Sequence, residues 1–284
     1  MRDSGVVQPA KAKAASSAAT SRSDLDVFME NRNWNSLCRL VLLANKRRPT
    51  DASRFIPVKT LLLWDIDGTL LTAGGAGMHA LGQALREVFG IDGSINDIDF
   101  AGRTDRWIMR QIFAKFDLPV TEGNIARYAD GYVAALPAAL ADRNVRLLPG
   151  LPDLLHDARR RGDVALGLLT GNLRRGAEAK LASRDLWRFF PFGAFADDAE
   201  DRNLLGPHAL RRARAHHGVP FAAAATWVIG DTPHDIVCAR ACGARSFAVA
   251  TGRHTVDELQ AANPDAVARD FGDTAAFWRV VDGT

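Results

Sequence analysis

The run Leu61-Leu62-Leu63-Trp64-Asp65-Ile66-Asp67-Gly68-Thr69-Leu70 constrains this chain more than any other stretch, because a short apolar run closes on two carboxylates two residues apart. A continuous apolar run of that length is the pattern of a strand buried on both faces, as in a parallel sheet. Open sheets of that kind bind ligands just beyond the carboxyl ends of their strands, which is where Asp65 and Asp67 fall. Alternate strand residues share a face, so the pair can converge on one oxygen-seeking cation and one anionic group.

Two further apolar runs end in polar groups of the same kind. Val164 to Leu169 leads into Thr170-Gly171-Asn172, where the Thr170 hydroxyl and the N–H groups of Gly171 and Asn172 would face an anion at the start of a helix expected over Leu173 to Leu181. The competing reading is a plain Gly-Asn turn. Thr226 to Gly230 leads into Asp231-Thr232-Pro233-His234-Asp235, with paired acids four residues apart. Asp231 is the expected direct metal ligand and Asp235 the outer partner, and the alternative for Asp235 is a capping carboxylate at the start of the helix from His234 to Cys242. Between these runs Arg202 follows Asp198, Glu200 and Asp201 and precedes a helix expected from Pro207 to His216. A surface ion pair is its competing reading.

In order and spacing these pieces resemble the motifs of the haloacid dehalogenase (HAD) phosphohydrolase superfamily, from about Val58 to the C-terminus. The resemblance implies that Asp65 is a nucleophile forming an aspartyl-phosphate and that Asp67 serves as acid and base. It implies that Thr170, Gly171 and Asn172 bind phosphate, and that Mg²⁺ is held by Asp65, the backbone carbonyl of Asp67 and Asp231, with Asp235 in support. The family's usual third-motif lysine has no counterpart, since no lysine follows Lys180. Arg202 stands at the expected place, and an arginine is not a neutral swap in reach or geometry. The family also places a helical cap between its first two motifs, with Gly74, Gly75 and Gly77 as the hinge here. Gly102-Arg103-Thr104-Asp105 resembles a cap segment of phosphoglycolate-phosphatase-like members. Arg103 would meet a substrate carboxylate or second anionic group, unless the segment is only a helix start capped by Thr104 or Asp105.

The expected fold is therefore α/β, a doubly wound parallel sheet with a HAD-like Rossmannoid core and an inserted α-helical cap. Strands are expected near 60–66, 164–169, 226–230 and 246–250, with helices near 151–161, 173–186, 206–217, 234–242 and 255–262, then a short strand at Ala266–Ala268 and a helix from Asp273 to Val281. The domain boundaries expected are 1–57 for an N-terminal extension, 58–73 with 145–284 for the core, and 74–144 for the cap. The extension carries little to bury in its first 23 residues, then one amphipathic helix from Trp34 to Ala44.

The activity expected is Mg²⁺-dependent hydrolysis of a small phosphomonoester. A phosphomutase and a non-catalytic binding module on the same fold are the alternatives. A dehalogenase would generally lack the acid at Asp67. Gly75-Ala76-Gly77-Met78-His79-Ala80 formally fits a dinucleotide fingerprint, but Asp67 to Ala73 separate it from the strand.

Composition excludes more than it assigns. A net charge of +3 over 284 residues makes no case for nucleic acid. The helix at 34–44 is too short to span a bilayer, no secretion-type apolar core precedes it, and three cysteines make no disulfide framework. The expectation is a cytoplasmic enzyme acting on a small phosphorylated metabolite, with no nucleic-acid or membrane partner and its oligomeric state open.

Overall fold

The computed structural model describes residues 58–283. The expected N-terminal extension and its helix at 34–44 lie outside them. The described chain opens on β1 (Thr60–Trp64) and β2 (Leu71–Thr72), then runs through three helices, α1 (Ala76–Phe89), α2 (Asp105–Lys115) and α3 (Glu122–Asp142). It returns through β3 (Arg146–Leu147) and α4 (Leu151–Arg161) to β4 (Val164–Leu169), α5 (Arg174–Ala182) and β5 (Gly193–Ala194). The last third alternates α6 (Leu205–His217), β6 (Thr226–Gly230), α7 (Pro233–Ala241), β7 (Arg245–Val249), α8 (Val256–Ala261), β8 (Ala266–Ala268) and α9 (Thr274–Asp282).

Six strands form one sheet in the order β5-β4-β1-β6-β7-β8, and every pairing in it is parallel. The leucine run explains why β1 sits in the middle. Its side chains alternate between two apolar layers, Leu62 and Trp64 on one face and Leu61 and Leu63 on the other. A strand apolar on both faces is buried only where helices cover both sides. The first layer is closed by aromatic packing, with the Trp64 ring centroid 5.4 Å from Phe271 and 6.0 Å from Phe277, and Phe277 4.9 Å from Phe247.

The second, antiparallel pair is the neck of the helical insert: Leu71 opposes Leu147 and Thr72 opposes Arg146. Helices α1 to α3 rise from it. The glycines of the dinucleotide-like fingerprint open α1 and so lead into this insert, not across to a neighbouring parallel strand, and the βαβ unit that fingerprint requires is missing there. Among the described residues no helix is long and apolar enough to cross a membrane.

Two details differ from the sequence expectation. The helix expected over 173–186 stops at Ala182, because the chain folds back with Asp185 at φ 57° and the Leu186 N–H donating to the Leu181 carbonyl at 2.9 Å. The edge strand β5 was not expected, since two residues are too few to carry a pattern.

The aromatic layer gives a stability prediction. Replacing Phe277, only 2% exposed, by alanine should cost about 3–5 kcal/mol. Val280→Ala, three residues on and 37% exposed, should stay within about 0.5 kcal/mol. Urea midpoints of the two variants check this, and equal costs would show that the aromatic layer does not carry the stability assigned to it.

Candidate active site

Asp65 is the first residue past β1, and its N–H donates to the Ile229 carbonyl of β6 at 2.9 Å. Asp231 is the first residue past β6. Because β1 and β6 are neighbours in the sheet, the two acids stand side by side. Asp235, on the first turn of α7, completes a buried group of carboxylates whose oxygens lie within 4.8 Å of one another.

Arg202 is buried against this group. Its Nη2 lies 3.2 Å from Asp65 Oδ1 and 2.5 Å from Asp235 Oδ1, and its Nη1 donates to the Gly102 carbonyl at 3.3 Å. The surface ion pair considered for Arg202 is therefore excluded, as the side chain is 7% exposed. Asp235 serves two partners, since its other oxygen accepts from the Thr232 N–H at 3.0 Å and the Thr232 hydroxyl at 2.7 Å. It is both the helix cap considered from the sequence and the partner of Arg202. Asp231 Oδ1 accepts from the Thr69 hydroxyl at 3.2 Å.

Burial shapes the charges here. It pushes Asp65 up to about 6, against the pull of Arg202 and with the push of Asp235. Burial raises Asp231 well above the usual carboxylate range, and repulsion from Asp235 and Asp65 adds to it. Burial acts against the Arg202 charge, but Asp235 and Asp65 outweigh it and hold the guanidinium ionised. Two of the three carboxylates thus pair with one guanidinium. Such an all-oxygen, electron-rich set suits a hard divalent cation, which would favour the ionised forms. The backbone is shaped to the acids. A Cβ on Gly252 would lie 1.7 Å from Asp231 Oδ2, and one on Gly68, at φ +80°, 2.4 Å from it.

Asp67 faces a different set. Its Oδ2 accepts from Asn172 Nδ2 at 2.9 Å and from Lys180 Nζ at 2.6 Å, and Lys180 Nζ also donates to Asn172 Oδ1 at 2.6 Å. Asn172 Nδ2 also reaches the Thr170 hydroxyl at 2.8 Å, so this side chain bridges the ends of β1 and β4. The Asn172 N–H bonds to the same hydroxyl at 3.3 Å. Lys180 lies outside the place where the family's third motif would put a lysine, and no sequence motif marks it. Its signal was its place in the buried stripe Gly176, Ala177, Lys180, Leu181 of α5, where a lysine is rarely left unpaired.

The insert meets these residues from above. Thr104 caps α2, accepting from the Trp107 N–H at 3.2 Å, and its hydroxyl donates to the Glu200 carbonyl at 2.6 Å. Asp105 does not cap its own helix. It accepts from the Leu173 N–H at 2.7 Å, and its own N–H donates to the Gly171 carbonyl at 2.7 Å. Burial raises Asp105 to about 6 although Lys180 and the Leu173 N–H pull it down. Arg103 stacks its guanidinium 4.5 Å from the Trp107 ring centroid. A cavity of about 500 Å³ lies between insert and sheet edge, with Asp65, Asp67, Asp231, Lys180 and Arg202 on the core side and Arg103 on the insert side.

Known proteins share this arrangement of sequence and fold. A family model described as HAD-hydrolase-like matches residues 205–274. The phosphoglycolate phosphatase of Synechococcus elongatus is 30% identical over 206 residues, spanning 72% of this chain and 90% of that protein. The chain belongs to the HAD-like hydrolases. "Probable phosphatase IndB" of Dickeya dadantii is 26% identical over 218 residues, 76% of this chain and 92% of that one. The crystal structure of CbbY from Rhodobacter sphaeroides in complex with phosphate superposes with a TM-score of 0.60 at 20% identity, covering 76% and 96% of the two chains, and supports the fold. This HAD-like hydrolase is a phosphatase of the phosphoglycolate-phosphatase-like kind.

The close approach of Gly252 gives a direct test of the site geometry. Gly252→Ala must push Asp231 aside, and displacements of that size near reacting groups cost about 100-fold in rate. Phosphate-release assays alongside thermal unfolding check it. Full activity in a folded Gly252→Ala protein would show that Asp231 need not stand where it does.

Proposed function

We propose that this phosphatase hydrolyses a small phosphomonoester through an aspartyl-phosphate on Asp65, with Mg²⁺ as cofactor. The observation that carries the reading is the juxtaposition of Asp65, Asp231, Asp235 and Arg202 under a cavity that Asp67 also lines. Asp65 attacks phosphorus in line, its carboxylate oxygen bonding to phosphorus as the ester P–O bond breaks. Asp67 gives its proton to the departing oxygen. It then takes a proton from the water that attacks the acyl-phosphate, and the Asp65 carboxylate and inorganic phosphate are released.

In this reading the Thr170 hydroxyl and the amides of Gly171 and Asn172 hold the phosphoryl oxygens beside Asp65, the Asn172 N–H exchanging its 3.3 Å bond to that hydroxyl for one to phosphate, and Arg202 takes the part of the family's lysine. A buried, always-charged guanidinium suits that part, because its contacts stabilise negative charge in a site shielded from water. Asp65, the Asp67 carbonyl and Asp231 would hold Mg²⁺, with Asp235 supporting through Arg202 and the α7 cap. When bound, the ion lowers the charge repulsion between nucleophile and phosphoryl group.

In this reading residues 74–144 are a cap and residues 58–73 with 145–284 the catalytic core. Gly74 and Gly75, at φ 57° and 81°, are the hinge, and closure excludes water from the acyl-phosphate. Arg103 on the cap side meets a second anionic group of the substrate, a carboxylate or phosphate.

The test is phosphate release from p-nitrophenyl phosphate and a panel of small phosphomonoesters, with Mg²⁺ and with chelator. Activity should require Mg²⁺ and fall about 10³-fold or more in Asp65→Asn, as for loss of other catalytic nucleophiles. Arg103→Ala should raise KM for doubly anionic esters and leave p-nitrophenyl phosphate little changed. Activity retained by Asp65→Asn would refute the covalent route.

A further inference from the structure

Asp67 is held in part by Lys180, a residue that none of the phosphatase motifs accounts for. Both of its side-chain hydrogen bonds fall on one oxygen, Oδ2, from Asn172 Nδ2 at 2.9 Å and Lys180 Nζ at 2.6 Å. Oδ1 has no hydrogen-bond partner among the described residues, and the side chain lines the cavity at 42% exposure. Lys180 cannot swing away easily, because its ammonium also donates to Asn172 Oδ1 at 2.6 Å and the residue is 5% exposed. Lysine, Asn172 and Asp67 Oδ2 close a small ring of hydrogen bonds, which fixes the carboxyl plane and presents the other oxygen to the substrate.

The insert covers this ring. The position of a Cβ on Gly77 would lie 3.7 Å from both Lys180 Nζ and the Tyr132 hydroxyl, so α1 and α3 close over the ammonium. Asp105, at the start of α2, grips the loop that carries Asn172 from both sides, through the Gly171 carbonyl and the Leu173 N–H, each at 2.7 Å. The ammonium is thus taken up by Asp67 and Asn172, whereas the cation in contact with Asp65 is Arg202.

We propose that Lys180 is a positioning residue that fixes Asp67 for proton transfer to the leaving oxygen, with Asp105 of the insert holding the Asn172 loop that completes the ring. The inference rests on the acid role given to Asp67 above. Asp65 bonds to phosphorus, the ester P–O bond breaks and its electron pair stays on the leaving oxygen, which takes the Asp67 proton. What Lys180 contributes is the direction in which that proton points.

A leaving group separates this role from a structural one. p-Nitrophenolate departs without a proton, whereas an alkoxide needs one. kcat/KM reports steps through the first irreversible one, here attack by Asp65. In Lys180→Met it should fall about 100-fold, within the range attributed to acid catalysis, for the best alkyl phosphomonoester of the panel. For p-nitrophenyl phosphate it should fall less than about fivefold. Lys180→Arg should recover part of the loss. Asp105→Leu, which is close in size but cannot accept from the Leu173 N–H, should show the same bias in smaller measure, and it decides the matter if Lys180→Met does not fold. Equal losses on both esters in a folded variant, or none, would overturn the proposal. Asp65→Asn should lose both esters together. No turnover by the unmodified chain would refute the proposed function itself, and this inference with it.

Discussion

Three carboxylates buried against one arginine are the constraint on which the rest depends. Burying one unpaired carboxylate is costly, and burying several together adds their repulsion. Asp65, Asp231 and Asp235 accept this because the sheet leaves them no other place. Asp65 and Asp231 end adjacent central strands, and Asp235 is fixed by the Thr232 cap. Arg202 offsets part of the charge, and the remaining oxygens form a set that could hold a divalent cation. The apolar layers on both sides of the sheet are what keep the acids from relaxing apart.

Alongside this lies a second set of polar residues, joined to the first through the Thr170 hydroxyl, which meets both Asn172 and Asp65. Asp67, Asn172 and Lys180 are joined to one another, and the insert covers them with Tyr132 and Asp105. The two cations are thereby divided between two tasks. Arg202 contacts Asp65 and Asp235, and Lys180 contacts Asp67, which in the proposed mechanism divides them between nucleophile and acid. The departure from the family's usual lysine is then a redistribution of charge, in which the guanidinium reaches Asp65 and Asp235 together, a span that one ammonium on a flexible stem serves less well.

Much of this was legible in the sequence because each piece closes an apolar run. Asp65, Thr170 and Asp231 could be placed at the carboxyl edge from the hydrophobic pattern, and five strands of the parallel sheet followed from the same runs, the first of them ending at Trp64 rather than at 66. Lys180 was not legible. It sits where a helix stripe predicts an apolar side chain, and its partner Asp67 is 113 residues away. Asp105 was hidden for the same reason, since the N–H it accepts from belongs to Leu173 in another layer of the molecule. The two-residue β5 and the early end of α5 depend on contacts and on one left-handed residue, Asp185, which pattern and propensity do not encode.

Calorimetric titration with Mg²⁺ near pH 6, in buffers of different ionisation enthalpy, tests the central claim most directly. Burial raises Asp65 to about 6 and Asp231 above the usual range, so part of the cluster binds protons there that a cation must displace. The account predicts one Mg²⁺ bound per chain with release of protons, a release that shrinks as pH rises through the Asp65 value of about 6, and loss of binding in Asp231→Asn. Binding that releases no protons, or that survives in Asp231→Asn, would contradict the placement of the cation at this buried cluster.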